Sequence, residues 1–130
     1  IRESVRNDRA QYFLDLSTPF FGFNRPGAEV SEGMRQSFLV QGLQCSLKAA
    51  YACIKQFSET DFSADLCKMT IPTLVIHGDD DQIVPLASTA RRAVEMLPQG
   101  RLSVYEGAGH GLPSTHKNRL NAELLAFMRS

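Results

Sequence analysis

The sequence predicts an α/β fold on three observations. Thr73-Leu74-Val75-Ile76 is a short apolar run rich in β-branched residues, suited to a strand buried on both faces. A second short strand is expected over residues 102–105. Between the two, Leu86, Ala90, Ala93, Val94 and Leu97 recur at helical spacing. Before residue 60 the chain reads as helical hairpins, so composition and period change near residue 71.

Taken in order, Val5, Tyr12, Phe13 and Leu16 share one face of a helix over residues 2–16. Ser17-Thr18-Pro19 is expected to end it, because the residue before a proline is pushed out of the α region. Phe20-Phe21-Gly22-Phe23-Asn24-Arg25-Pro26-Gly27 reads as a loop. Ser31 is expected to cap a second helix through Met34 and Phe38 to about residue 41, with Gly42 marking a break. A third helix is predicted over 46–58, with Leu47, Tyr51 and Ile54 on one face. A polar connection and a short turn over 64–68 lead to Ile71-Pro72. The strand at 73–76 should stop at His77-Gly78, and Asp79, Asp80 and Asp81 precede the turn at Pro85 into the helix over 86–97. Near the C-terminus Leu120, Leu124, Phe127 and Met128 repeat the helical signature. Two strands joined by a helix imply a right-handed parallel crossover. Two strands are too few for a parallel sheet covered on both faces, so further strands are expected outside this chain.

The 130 residues are 43% hydrophobic and 22% charged, the proportions of an ordinary soluble globular protein. Net charge is zero with no block of like charge, which argues against nucleic acid and anionic membrane as partners. No apolar run approaches the ~20 residues of a membrane-spanning helix. Cys45, Cys53 and Cys67 are odd in number and lack CxxC spacing, so they read as reduced thiols in a cytoplasmic protein, Cys45 and Cys53 acting as small hydrophobes on helices. The first residue is Ile1, not Met, and a helical pattern begins at once. The polypeptide is therefore expected to be truncated or processed.

Open parallel α/β sheets place their chemistry where strand ends deliver side chains to loops. Asp81 follows the first strand, and His110, within Glu106-Gly107-Ala108-Gly109-His110-Gly111, follows the second. An imidazole so placed can take a proton from a nucleophile and return it to a leaving group, while the carboxylate fixes the tautomer. By spacing alone the two fit a pair of solvated loop residues equally well. Asp79 and Asp80 read as turn residues and loop caps. Ile83 and Val84 stand where an acidic calcium loop would continue its ligands, so no metal is expected. His77 reads as a packed or hydrogen-bonded structural residue, and His116 as a surface residue of the following turn.

The stretch Pro72-Thr-Leu-Val-Ile-His-Gly-Asp-Asp-Asp-Gln-Ile-Val-Pro85, with Tyr105-Glu-Gly-Ala-Gly-His-Gly111 and Ser114-Thr-His116, resembles the cofactor-free haloperoxidase and esterase branch of the α/β-hydrolases. Phe20-Phe-Gly-Phe-Asn-Arg-Pro-Gly27 and Phe57-Ser-Glu-Thr-Asp-Phe62 look like parts of that branch's helical cap. The resemblance implies the C-terminal part of an α/β-hydrolase: a cap segment over 1–68, then the last strand–helix–strand–helix of the core over 69–130. It implies that Asp81, immediately before Gln-Ile-Val-Pro, is the triad aspartate and His110 the triad histidine. It further implies an acyl pocket drawing on Phe20, Ile83 and Leu86, three residues that otherwise read as core packing.

The activity so implied is hydrolysis of small carboxylic esters. With a carboxylic acid and hydrogen peroxide, such enzymes also form a peracid that oxidises halide, without haem, metal or other cofactor. The implied partners are those small molecules and the N-terminal half of the same fold, with a homo-oligomer left open. The departure is the nucleophile elbow: no serine here is flanked as G-x-S-x-G, and Gly42-Leu-Gln-Cys45-Ser46 has the wrong spacing. The serine and the oxyanion hole are therefore expected upstream of Ile1, and this chain alone is expected to be inactive. Two other readings stay open: a non-catalytic fragment, and a hydrolase-fold binding protein whose other half lacks the serine.

Overall fold

A computed structural model describes residues 2–28 and 30–129; Ile1, where the expected cap segment begins, lies outside them. Asp8 divides the first predicted helix into α1 (Arg2–Asn7) and α2 (Arg9–Phe21), its carboxylate capping the Gln11 N–H. Contrary to expectation, α2 passes through Pro19 and includes Phe20 and Phe21. Pro19 lies in the last turn, where its missing N–H forfeits only the bond to the carbonyl of solvent-facing Asp15. The ring of Phe38 on α3 (Glu32–Gln44) holds that turn, 4.7 Å from Phe20 and 5.6 Å from Phe21. Gly22, with φ of 76°, then closes the helix by donating to Thr18.

Ser31 caps α3 as expected, but Gly42 does not break it. A Cβ at Gly42 would lie 2.6 Å from the Phe13 ring, so this glycine lets α2 and α3 close together. The helical half ends with α4 (Leu47–Glu59), capped by Ser46, and the short α5 (Ser63–Leu66).

β1 (Thr73–Gly78) and β2 (Gly100–Tyr105) pair in parallel, from Thr73 opposite Gly100 to Gly78 opposite Tyr105. His77 and Gly78 therefore belong to the first strand and do not stop it. The crossover is a 3-10 turn (Leu86–Ser88) followed by α6 (Ala90–Met96), where a single helix over 86–97 was expected. Thr89 separates the two, its hydroxyl donating to the Pro85 carbonyl at 2.8 Å.

Most strand residues are half-buried, not buried on both faces, because the sheet has two strands among the described residues. α7 (Leu112–Thr115) and α8 (Lys117–Met128) complete the chain. Leu124 and Met128, expected on the packed face of α8, are exposed. So are the three cysteines, and Cys45 and Cys53 therefore do not pack as small hydrophobes. The core is centred on Tyr105, Ala108 and Leu112, with Ile76 and Leu120 against them. Arg119 stacks on the Tyr105 ring, and the buried Tyr105 hydroxyl donates to Glu123 at 2.6 Å. Among the described residues, no helix is long and apolar enough to cross a membrane.

Candidate active site

The strand ends bring Asp81 and His110 together. Asp81 sits three residues beyond β1 with its side chain only 3% exposed; His110 sits five beyond β2 with its side chain 33% exposed. The Asp81 carboxylate makes an Asx turn on its own loop, Oδ1 accepting from the N–H groups of Ile83 (2.8 Å) and Val84 (2.9 Å). Oδ2 lies 2.8 Å from His110 Nδ1.

Burial opposes ionisation of Asp81. The Val84 N–H, the His110 imidazole and the Ile83 N–H outweigh it and hold the carboxyl below its ordinary value. An ionised carboxylate only accepts, so His110 Nδ1 carries the hydrogen and Nε2 is left as the free basic nitrogen. The pair therefore has the form of a base held in one tautomer by a buried anion.

The histidine loop is built onto the end of β1. Asp79 N–H donates to the Tyr105 carbonyl (3.1 Å), Asp80 N–H to the Ala108 carbonyl (3.2 Å), and the Asp79 carboxylate accepts from Gly107 N–H (2.7 Å). A Cβ on Gly78 would lie 2.0 Å from the Ala108 carbonyl oxygen, so only glycine allows this approach. On the far side, the Gly111 N–H donates 2.7 Å to the carbonyl of Phe20 in the last turn of α2.

The helical half meets this site at three further points. The Phe20 ring stands edge-on to the His110 imidazole at 4.7 Å. Arg25 forms two bonds of 2.7 Å to Asp80, and Asn24 and Gln82 exchange amide hydrogen bonds of 2.9 and 3.1 Å. Asp80 and Gln82 flank Asp81, so the loop after α2 grips the aspartate's neighbours on both sides. Asp79 caps a loop as expected, whereas Asp80 forms an ion pair that its sequence context did not reveal.

Of the residues expected to shape an acyl pocket, Phe20 touches His110. Ile83 is half-buried and contributes its N–H to Asp81, and Leu86 is buried. His116 is half-buried, 2.8 Å from the Thr115 hydroxyl and edge-on to Tyr105, more enclosed than a surface residue. His77 Nε2 lies 2.9 Å from the Val84 carbonyl and 3.2 Å from Asp81 Oδ2, which makes it a second histidine on the carboxylate. The described residues hold no group of three or more side chains arranged to bind a metal.

Residues 6–117 match the family model for the alpha/beta hydrolase fold. The chain is 49% identical to a non-heme haloperoxidase of Rhodococcus erythropolis, over 99% of this chain and 47% of that protein. It is 40% identical to a bifunctional esterase/perhydrolase of Acinetobacter calcoaceticus, over 100% of this chain and 48% of the other. Among solved structures, a bromoperoxidase from Bacillus anthracis superposes with a TM-score of 0.94 at 35% identity, covering 99% of this chain and 47% of that one. The chain spans about half the length of the curated relatives it matches.

Proposed function

Because the chain belongs to the alpha/beta hydrolase fold family, we propose that it supplies the acid and base of a serine hydrolase acting on small carboxylic esters. The observation that carries this reading is the 2.8 Å contact from Asp81 Oδ2 to His110 Nδ1, formed by a buried carboxylate and a half-exposed imidazole at the ends of parallel strands. In the proposed reaction His110 Nε2 takes the proton from a serine hydroxyl as it attacks the ester carbonyl, then returns it to the leaving alcohol. Asp81 orients the imidazole and stabilises its cation. Water then releases the acid from the acyl-enzyme. Hydrogen peroxide in the same role releases a peracid, which transfers an oxygen to halide and becomes the carboxylic acid again.

The serine and the oxyanion hole would come from polypeptide outside these 130 residues, as would strands to cover the sheet and the exposed Leu124 and Met128. On this reading residues 1–68 form the cap and residues 69–130 belong to the core. Phe20, Ile83 and Leu86 would border the acyl group. Names of the relatives, haloperoxidase and esterase/perhydrolase, support the substrate classes.

The test uses the complete polypeptide that carries this sequence, labelled with a fluorophosphonate and assayed on p-nitrophenyl acetate. One serine adduct, with hydrolysis abolished in His110→Ala, is the expected result. A His110→Ala variant that hydrolyses at the parental rate overturns the assignment.

A further inference from the structure

Two histidines lie against one carboxylate oxygen. Asp81 Oδ2 lies 2.8 Å from His110 Nδ1 and 3.2 Å from His77 Nε2, and the same His77 nitrogen lies 2.9 Å from the Val84 carbonyl oxygen. A carbonyl can only accept, so His77 Nε2 carries a hydrogen donated to Val84, and Asp81 Oδ2 lies beside that polarised N–H. The imidazole is held where it stands: His77 is paired within β1 opposite Val104, and its side chain is 14% exposed.

We propose that His77 is a positioning residue for the Asp81–His110 pair, its Nε2–H, held by the Val84 carbonyl beside Asp81 Oδ2, setting how strongly the carboxylate stabilises the His110 imidazolium. The proposal rests on the hydrolase reading above. An N–H dipole 3.2 Å from Oδ2 sets partial positive charge beside that oxygen and draws off part of the charge it presents to His110. Without it the carboxylate stabilises the imidazolium more strongly, and a higher pH is needed to free the base.

The groups around the carboxylate keep this effect separable. Residues 82–90 include no titratable side chain. Asp80 is engaged by Arg25 from the loop after α2, and Asp79 by the Gly107 N–H. From α2 the contact on His110 is the uncharged Phe20 ring. On the β2 side Glu106 is exposed, and the Tyr105 hydroxyl is taken by Glu123.

The test is the pH profile of kcat/KM for p-nitrophenyl acetate in the complete polypeptide, comparing the parent with His77→Phe and His77→Gln. Phenylalanine keeps the ring and removes the donor; glutamine returns an N–H near the position of Nε2. The acidic limb should move up by about half a pH unit in His77→Phe and stay with the parent in His77→Gln. An unmoved limb in an active His77→Phe, or equal movement in both variants, overturns the proposal. Where His77→Phe does not fold, proton–nitrogen NMR of the parent decides: an Nε2–H tautomer at His77 supports it and an Nδ1–H tautomer overturns it. Parental activity in His110→Ala would remove the hydrolase reading and this proposal together. That failure is distinguishable, because the limb is read in variants that keep His110.

Discussion

Arg25 and Asp80 are joined by two parallel hydrogen bonds of 2.7 Å, which tie the loop after α2 to the residue immediately before Asp81. The hydrogen bond from Arg25 is the main reason the Asp80 carboxyl is held below its ordinary value. The pair is partly exposed, so it adds little to global stability. Its geometric role is larger, since the planar fork of arginine fixes the direction of approach.

Replacing Arg25 by Ala should therefore lower kcat/KM for ester hydrolysis several-fold while the thermal midpoint moves little. Arg25→Lys should recover only part of the loss, because an ammonium cannot make both bonds in one plane. Steady-state kinetics and a melting curve on the same preparations check this. A large fall in midpoint without a kinetic change would show that the pair is structural.

Gly78→Ala should be among the most damaging single-atom additions to the chain. The new methyl would meet the Ala108 carbonyl oxygen at 2.0 Å, and backbone cannot yield as a side-chain tip does. Overpacking of this kind costs about 1–3 kcal/mol or more, and relief requires the histidine loop to lift. Chemical denaturation should report the lost stability, and activity should fall further than stability alone predicts.

Asp81→Asn should lower kcat on the order of 10⁴-fold, because an amide facing His110 favours the wrong tautomer. Its effect on stability depends on pH. The Asp81 carboxyl is held below its ordinary value in the folded protein, so its contribution is complete above the unfolded aspartate value of about 3.9 and is lost as pH falls through the lower folded value. Parent and variant should differ in unfolding free energy at neutral pH and converge in that acid range. Curves that stay parallel down to the acid limit would mean that the charge on Asp81 contributes nothing to folding.

The fold class, the cap at Ser31 and both strands are legible in the sequence because each rests on a local pattern. The same holds for Asp81 and His110 as loop residues at strand ends. What was not legible is tertiary. Helix α2 overruns Pro19 because Phe38, on another helix, packs against Phe20 and Phe21. Gly42 reads as a break in the sequence, yet its missing side chain admits the Phe13 ring. No spacing rule links Asn24 to Gln82 or Arg25 to Asp80, which lie 58 and 55 residues apart. His77 reads as structural from its place at a strand end; its approach to Asp81 depends on the turn through Val84, which brings the Val84 carbonyl and the carboxylate back over the strand.

The carbonyl of Phe20, one of the last-turn groups that a helix leaves unpaired, carries the Gly111 N–H next to His110. The length of α2 thus acts as a ruler for the height of the imidazole. One residue inserted into α2 would rotate its end by about 100° and advance it by about 1.5 Å, moving that carbonyl away from the loop. Helical halves exchanged between relatives would have to preserve the count from Asp8 to Phe20, whatever freedom their outer surfaces enjoy.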